Sequence, residues 1–182
     1  DLIIDRHSYS KSMDVENGYA IQRHQGIEIF NSVSSFAIRN GQVLNAGFSF
    51  KKNISEKVNT TNPSINAATA INKAAENLGL ITTSNIELIE TLSDNKFKFS
   101  NGGISLENIP VKLVYQTMDD STLRLAWDLS IYLLDASHYY SVRIDAVNGD
   151  LLDTTDWVVN CAVEKGMFSN HTHIKDNNRL FS

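Results

Sequence analysis

One stretch in the second half of the chain constrains the fold more than any other. It reads "LRLAWDLSIYLL" and spans residues 123–134. Successive side chains of a β-strand point to opposite faces, so an apolar residue at every second position is typical of a strand with one buried face. The apolar positions are Leu123, Leu125, Trp127, Leu129, Ile131 and Leu133. The stretch therefore predicts a long strand that packs one side against a core.

Strand-like segments flank this stretch on both sides. "VKLVYQT" precedes it and "YYSVRIDAV" follows it, with turns expected at 118–122 and 135–139. Short connections favour antiparallel neighbours, so three antiparallel strands are predicted. The pair Asp119-Asp120 falls in the first turn, where an aspartate side chain commonly hydrogen-bonds the local backbone. We interpret those carboxylates as structural.

The segment after the third strand, "RIDAVNGDLL", admits either a calcium loop or a hairpin. An EF-hand loop needs oxygen ligands at alternate positions and a closing glutamate, but Val147 occupies one ligand position and no glutamate closes a twelve-residue loop. Asn148-Gly149 accepts positive φ at little cost, which suits a type I′ turn. The sequence therefore predicts a hairpin that continues into Leu151 and Leu152.

One convincing helix is predicted, in the segment "NPSINAATAINKAAENLG". Ala67, Ile71, Ala74 and Leu78 recur at helical spacing, Ser64 or Asn66 can serve as the N-cap, and Gly79 ends the pattern. An apolar helical face next to a sheet with one apolar face predicts that the helix covers the sheet, with Trp127 between them.

The N-terminal part predicts a small antiparallel meander. In residues 19–50, short apolar alternations are separated by Gln25-Gly26 and Asn40-Gly41. Two further strand-like pieces occur at 86–90 and 96–99, and the polar tract 51–63 is interpreted as a hinge.

The expected fold class is α+β, with antiparallel sheets and one main covering helix. Three units are expected along the chain. They are an N-terminal β-meander (1–55), a helix-on-sheet domain (56–160) and a polar tail (161–182).

Composition argues against several classes of partner. The net charge is −5, with 21 acidic and 16 basic residues and no long Lys/Arg cluster, so nucleic acid is not an expected partner. No apolar run approaches the roughly 20 residues that cross a bilayer, so no membrane partner is expected. Because the chain starts at Asp1 without Met, we expect a segment cut from a longer precursor. The single Cys161 cannot form an internal disulfide.

Motifs for catalysis are absent from the sequence. There is no HExxH, no GxSxG and no P-loop, so the segment is expected to be non-catalytic and to hold no cofactor. His171 and His173 are spaced to chelate a metal, and Cys161 could supply a thiolate. The alternative is an exposed pair of histidines in a polar segment and an incidental cysteine, and that interpretation is favoured.

The order of these parts resembles a known family. Gln22, Gly26 and the strand Ile27–Phe30 are similar to the fungalysin/thermolysin propeptide (FTP) motif, and "LAWDL" and "RIDAVNGDLL" are similar to a PepSY unit, which is cystatin-like. Together they resemble the propeptide of a secreted fungalysin/thermolysin-like zinc metalloprotease, over about residues 15–160. The segment from Ser93 to Pro110 departs from that pattern as an insert.

The resemblance implies a function. Such a propeptide acts as an intramolecular chaperone and inhibitor of the zinc metalloprotease catalytic domain that follows it. Zinc is therefore expected in that partner domain, and the protein is expected to be secreted or at the cell surface. The Asn- and Ile-rich composition favours a bacterial source. One alternative is a free-standing extracytoplasmic PepSY-type binding module. A third interpretation, a small hydrolase that uses His138 or the tail histidines, has no supporting motif.

The tail is expected to contact the partner, through Asn170, His171, His173 and Arg179. Two mechanisms remain open. Cys161, His171 or His173 could ligate the catalytic zinc, or the backbone could occupy the protease groove by extended pairing. The resemblance requires no cysteine or histidine at these positions, which favours occupation of the groove.

Overall fold

The structure is a computed structural model, and it describes residues 1–158. This part of the chain contains ten strands and two helices. Their bounds are β1 Leu2–Ser10, β2 Val15–His24, β3 Ile27–Arg39, β4 Gln42–Gly47, α1 Ile54–Lys57, α2 Ala67–Asn77, β5 Leu88–Ser93, β6 Lys96–Phe99, β7 Ile109–Thr117, β8 Leu123–Tyr132, β9 Tyr139–Asp145 and β10 Leu151–Asp156.

All ten strands belong to one mixed sheet. Its main path runs β1-β2-β3-β7-β8-β9-β10, while β4 pairs with β3, β6 with β7, and β5 with β6. Strands β3 and β7 are parallel and pair through Glu28 opposite Val114 and Ile29 opposite Tyr115. The other pairs of named strands are antiparallel. The short parallel pairing therefore joins the N-terminal strands to the C-terminal ones.

The predicted fold class is wrong. The expectation was an α+β fold in which one main helix covers an antiparallel sheet. Instead, a single mixed sheet dominates, and α2 packs mainly against part of it, at β8, β9 and β10. The physical reason is size: the 11 residues of α2 extend for about 16 Å, whereas neighbouring strands are about 4.8 Å apart and seven of them form the main path.

Burial along β8 confirms the predicted alternation. The apolar positions of this strand are at most 5% exposed, and they are Leu123, Leu125, Trp127, Leu129 and Ile131. Trp127 also donates a hydrogen bond from its indole nitrogen to the carbonyl of Ile65, at 3.0 Å. The prediction that Trp127 lies on the buried face is confirmed, and its contact with Ile65 places it next to the start of α2.

The predicted limits of α2 are also confirmed. Asn66 is the N-cap, and its side-chain oxygen accepts a hydrogen bond from the backbone nitrogen of Thr69 at 2.8 Å. Gly79 follows the helix with φ +69°, a conformation that favours glycine. Ala67, Ile71 and Ala74 are buried against the sheet.

The glycine turns do not all behave alike. Both residues of Gln25-Gly26 and of Asn40-Gly41 have positive φ, as a type I′ hairpin requires. At Asn148-Gly149 only the glycine does, so the hairpin prediction is confirmed but the type I′ prediction is wrong. The Asp145 carboxylate is the cause: it accepts hydrogen bonds from the backbone nitrogens of Val147 (2.8 Å) and Asn148 (3.2 Å), which holds a wider loop.

The mid-chain segments differ in how well they match expectation. The strand at 96–99 is present as β6, whereas the piece predicted at 86–90 lies two residues later, as β5. The tract predicted as a hinge contains α1 and is tied to β8. Within it, the backbone nitrogen of Asn59 donates to the carbonyl of Leu123 (3.1 Å), and its side-chain oxygen accepts from the nitrogen of Leu125 (2.9 Å).

Candidate functional site

The β5–β6 hairpin extends the sheet from β7, on the side next to the start of α2. Among residues 1–158, β5 pairs with β6 alone, so its other edge carries unpaired backbone groups. Three large apolar side chains of this strand are more than half exposed: Leu88 (54%), Ile89 (55%) and Leu92 (53%). Native proteins usually protect an edge strand with charges, bulges or a cover, because an exposed apolar edge pairs readily with another chain.

An apolar groove of about 590 Å³ adjoins this strand. It lies between the β5–β6 hairpin and residues 63–68, and aromatic rings form much of its wall. Phe97 is central, with its ring centroid 6.4 Å from that of Phe99 and 6.0 Å from that of Trp127. We call the exposed edge of β5 together with this groove the β5 surface.

The β5 surface has the features that bind an extended segment. Unpaired backbone groups can extend the sheet, and a neighbouring apolar groove can take alternate side chains of the added strand. The strand is irregular, since its register against β6 shifts between Leu88 and Glu90 and again between Thr91 and Ser93. These bulges turn apolar residues toward both sides of the strand, which explains why "LIETLS" has no clean alternation.

A second cavity, of about 410 Å³, separates β3 and the segment after β4 from β7 and β10. Phe30, Phe48 and Phe50 line one side, and Gln116 and Asp153 line the other. Within the described part of the chain, the buried side-chain oxygen of Gln116 accepts no hydrogen bond. This cleft therefore combines aromatic rings with a polar acceptor.

His138 lies immediately before β9 and contacts Asp156 at the end of β10. Its Nδ1 lies 2.5 Å from Oδ2 of Asp156, and its ring stacks on Tyr140 with centroids 5.2 Å apart. The other oxygen of Asp156 accepts hydrogen bonds from the backbone nitrogens of Tyr139 and Val158. Burial alone would raise the pKa of Asp156, but these hydrogen bonds and the one with His138 outweigh it, so the pKa is lowered. The carboxylate thus holds the imidazole in place at the end of β10.

The site residues predicted from sequence fall elsewhere. Cys161, Asn170, His171, His173 and Arg179 lie outside the described residues. Within residues 1–158, no three or more His, Cys, Asp or Glu side chains are grouped so that they could hold a metal ion. No helix in that range has the length and apolar character needed to span a bilayer.

The sequence analysis missed the β5 surface. In the sequence, β5 is marked by three large apolar residues within six positions, which lie between Asn85 and Asp94-Asn95. These residues do not alternate with polar ones as they would in a half-buried strand. Such a pattern is equally typical of a buried strand. Only the position of β5 at an edge of the sheet distinguishes an exposed strand from a buried one.

Comparison with solved structures gave a weak likeness. No protein-family model and no curated protein matches the chain. Among solved structures, the chain is similar to the Bacillus megaterium YpeB C-terminal domain, with a TM-score of 0.42 and 11% sequence identity. The match covers 85% of this chain and 56% of that structure, so the chain spans little more than half of its length. A likeness this weak establishes neither a shared site nor a shared function.

Proposed function

We propose that this chain is the non-catalytic prosegment of a secreted, zinc-dependent metalloprotease, which helps the catalytic domain to fold and inhibits it. The observation that carries the proposal is the β5 surface, where an exposed apolar strand edge lies beside an apolar groove. Exposed apolar area of this kind marks a surface that a partner covers. The sequence resemblance to fungalysin/thermolysin-like propeptides supplies the identity of the partner.

The residues that carry the resemblance have structural roles that support this proposal. Gly26 forms the turn between β2 and β3, and Ile27 and Ile29 are buried in the core. "LAWDL" lies within β8, and "RIDAVNGDLL" includes the β9–β10 turn. These motifs therefore lie in the main strands of the sheet, and β5 lies at the edge of a branch of that sheet, next to β6.

A physical mechanism links the β5 surface to both roles. A secreted protease with high kinetic stability folds over a large barrier, and a partner that binds native-like surface before folding is complete can lower that barrier. An extended strand of the catalytic domain would pair with the edge of β5 and place apolar side chains in the groove. Zinc and the catalytic residues belong to the partner in this proposal, so the prosegment needs no cofactor.

The proposal is tested by titrating the mature protease of the same precursor with the 182-residue chain. We expect inhibition at micromolar concentrations, and the double substitution Leu88→Lys with Leu92→Lys should weaken it at least tenfold. Leu134→Lys is the matched control, because Leu134 is 57% exposed but lies in the β8–β9 connection. Electrophoresis of the reaction checks that the chain is not digested.

Two outcomes would separate the parts of the proposal. Undiminished protease turnover with the intact wild-type chain would overturn the prosegment function. Equal inhibition by the wild type and the double variant, with an unchanged unfolding transition, would retain the function but exclude the β5 surface as its site.

A free-standing extracytoplasmic binding module is the second candidate. The cleft lined by Phe30, Phe48 and Gln116 favours it, because aromatic rings beside a polar acceptor without a partner can bind a small ligand. This candidate is tested by NMR titration with a library of short peptides. Shifts confined to cleft residues, combined with no protease inhibition, would favour it over the prosegment.

A further inference from the structure

A row of charged side chains crosses the sheet on the face opposite α2. Most of its members are neighbours across adjacent strands: Arg23 is opposite Glu28, Lys112 opposite Asp128, Asp128 opposite Arg143, and Arg143 opposite Asp153. We call this row the charge ladder. Its members are Arg23, Glu28, Lys96, Lys112, Asp128, Arg143 and Asp153.

Both ends of the charge ladder are well paired. Glu28 lies 2.9 Å from Nζ of Lys96 and 3.2 Å from Nζ of Lys112. At the other end, the fully buried Arg143 lies 2.5 Å from the carboxylate of Asp153. The ring of Phe30 covers the Arg143 guanidinium at 4.4 Å from the ring centroid. These contacts pair the cations with carboxylates other than Asp128, although Nε of Arg143 is buried without a hydrogen-bond partner among residues 1–158.

Asp128, in the middle of the charge ladder, is poorly paired. Its nearest cations are Nζ of Lys112 at 3.9 Å and a guanidinium nitrogen of Arg143 at 3.8 Å. Both cations have a closer carboxylate, and Oδ1 of Asp128 is buried without a hydrogen-bond partner among residues 1–158. Glu28, from β3, adds a like charge nearby. The side chain of Asp128 is only 13% exposed.

Protons can nevertheless reach this carboxyl group. Asp128 borders an open pocket of about 230 Å³, which Lys96 and Lys112 also line. A buried carboxyl group without close partners favours its neutral form. Burial raises the pKa of Asp128 to about 6, because it outweighs the opposing effect of Lys112 and Arg143.

We infer that Asp128 is a proton-sensing residue of this fold: the sheet is most stable when Asp128 is protonated at mildly acidic pH, and it loosens when Asp128 ionises near neutral pH. This inference concerns the chain itself and does not depend on the proposed protease partner. It adds a pH-sensitive element to the part of the sheet that joins the N-terminal strands to the rest.

The direction in which stability changes with pH follows from proton linkage. The pKa of Asp128 is raised in the folded state from 3.8 to about 6, so between these values the folded chain holds a proton that the unfolded chain has released. The unfolding constant attributable to this group therefore rises with pH, by roughly fiftyfold between pH 4 and pH 7. The stabilisation is fully present below pH 4 and is lost as the pH passes through about 6.

The position of Lys112 indicates where the loosening begins. Its ammonium is shared between Glu28 of β3 and Asp128 of β8. When Asp128 ionises, it competes with Glu28 for this ammonium. The pairing of β3 with β7 consists of two residue pairs, so it depends on the contacts of Glu28 more than a long strand pair would.

The test is urea unfolding of the wild-type chain and the Asp128→Asn variant between pH 4.5 and pH 8. We expect the unfolding constant of the wild type to rise by tens of fold relative to the variant across this range, with the variant the more stable at pH 8. All other titratable groups are the same in both proteins, so the difference isolates Asp128. Asp119→Asn is the control, because it makes the same change in net charge at an exposed turn.

Parallel pH profiles for the wild type and the Asp128→Asn variant would overturn the inference. A second measurement tests the inference even if the Asp128→Asn variant does not fold. In the wild type, the side-chain carboxyl carbon of Asp128 should titrate by NMR with a midpoint near pH 6. A midpoint near pH 4 would also overturn the inference.

Discussion

The side-chain amide of Gln22 pairs with the backbone of Lys51 as a neighbouring strand would. Its oxygen accepts a hydrogen bond from the nitrogen of Lys51 at 2.7 Å, and its nitrogen donates to the carbonyl of Lys51 at 2.8 Å. An amide side chain can do this because it carries both a donor and an acceptor. The contact ties the segment after β4 to β2, and this segment carries the Phe48 and Phe50 wall of the cleft.

Replacing Gln22 by Met should destabilise the chain by about 1–3 kcal/mol, because two hydrogen bonds of roughly 0.5–1.5 kcal/mol each are lost. Urea unfolding measures the change. Gln42→Met is the control, because Gln42 is exposed in β4. Equal stability of the two variants would show that the pairing with Lys51 contributes nothing.

Replacing Trp127 by Ala should cost about 3–5 kcal/mol, because it empties a buried aromatic position and removes the hydrogen bond to Ile65. Thermal or urea unfolding measures the loss. Trp157→Ala is the matched control: Trp157 is 48% exposed, and its substitution should change stability by about 0.5 kcal/mol or less. Near-native stability of Trp127→Ala would contradict the packing described for β8.

Replacing Glu28 by Gln should reduce stability at neutral pH and have little effect in strong acid. Burial opposes ionisation of Glu28, but hydrogen bonds from Lys96 and Lys112 and their charges lower its pKa from 4.5 to about 2. Its contribution is therefore present above pH 4.5 and is lost as the pH falls through about 2. We expect a cost of roughly 1–2 kcal/mol at pH 7, since the partly exposed lysines are screened by solvent.

The measurement for Glu28→Gln is urea unfolding at pH 7 and at pH 2. Glu107→Gln is the control, because Glu107 is exposed and makes no ion pair among the described residues. The same cost for Glu28→Gln at both pH values would contradict the ionic role of Glu28.

Truncation after Asn160 should weaken inhibition of the protease while leaving the unfolding transition unchanged, because the patterned strands end before that residue. Simultaneous replacement of Cys161, His171 and His173 by Ala should change inhibition little if the backbone of the tail occupies the substrate groove of the protease. Inhibition constants of the two variants provide the measurement. A large loss in the triple variant would instead support ligation of the partner's zinc.

Local sequence was sufficient where neighbouring residues decide the structure. The alternation in β8, the Asn66 cap of α2 and the type I′ turns at Gln25-Gly26 and Asn40-Gly41 all depend on contacts within a few residues. The turn at Asn148-Gly149 has the same dipeptide as Asn40-Gly41 but differs in conformation. The carboxylate of Asp145 decides it, and the dipeptide alone does not reveal that contact.

The sequence by itself determined the positions of most strands, the helix α2 and the buried face of β8, because each follows from the period of apolar residues and from local capping. The tertiary structure decided how these elements combine. Parallel pairing of Glu28 with Val114 joins the N-terminal and C-terminal strands in one sheet, and it depends on residues more than 80 positions apart. Among residues 1–158, the same assembly leaves one edge of β5 unpaired, and it places Asp128 between two cations that other carboxylates already hold. Pairing between distant strands is set by the burial and charge of the whole sheet, so no local pattern specifies it.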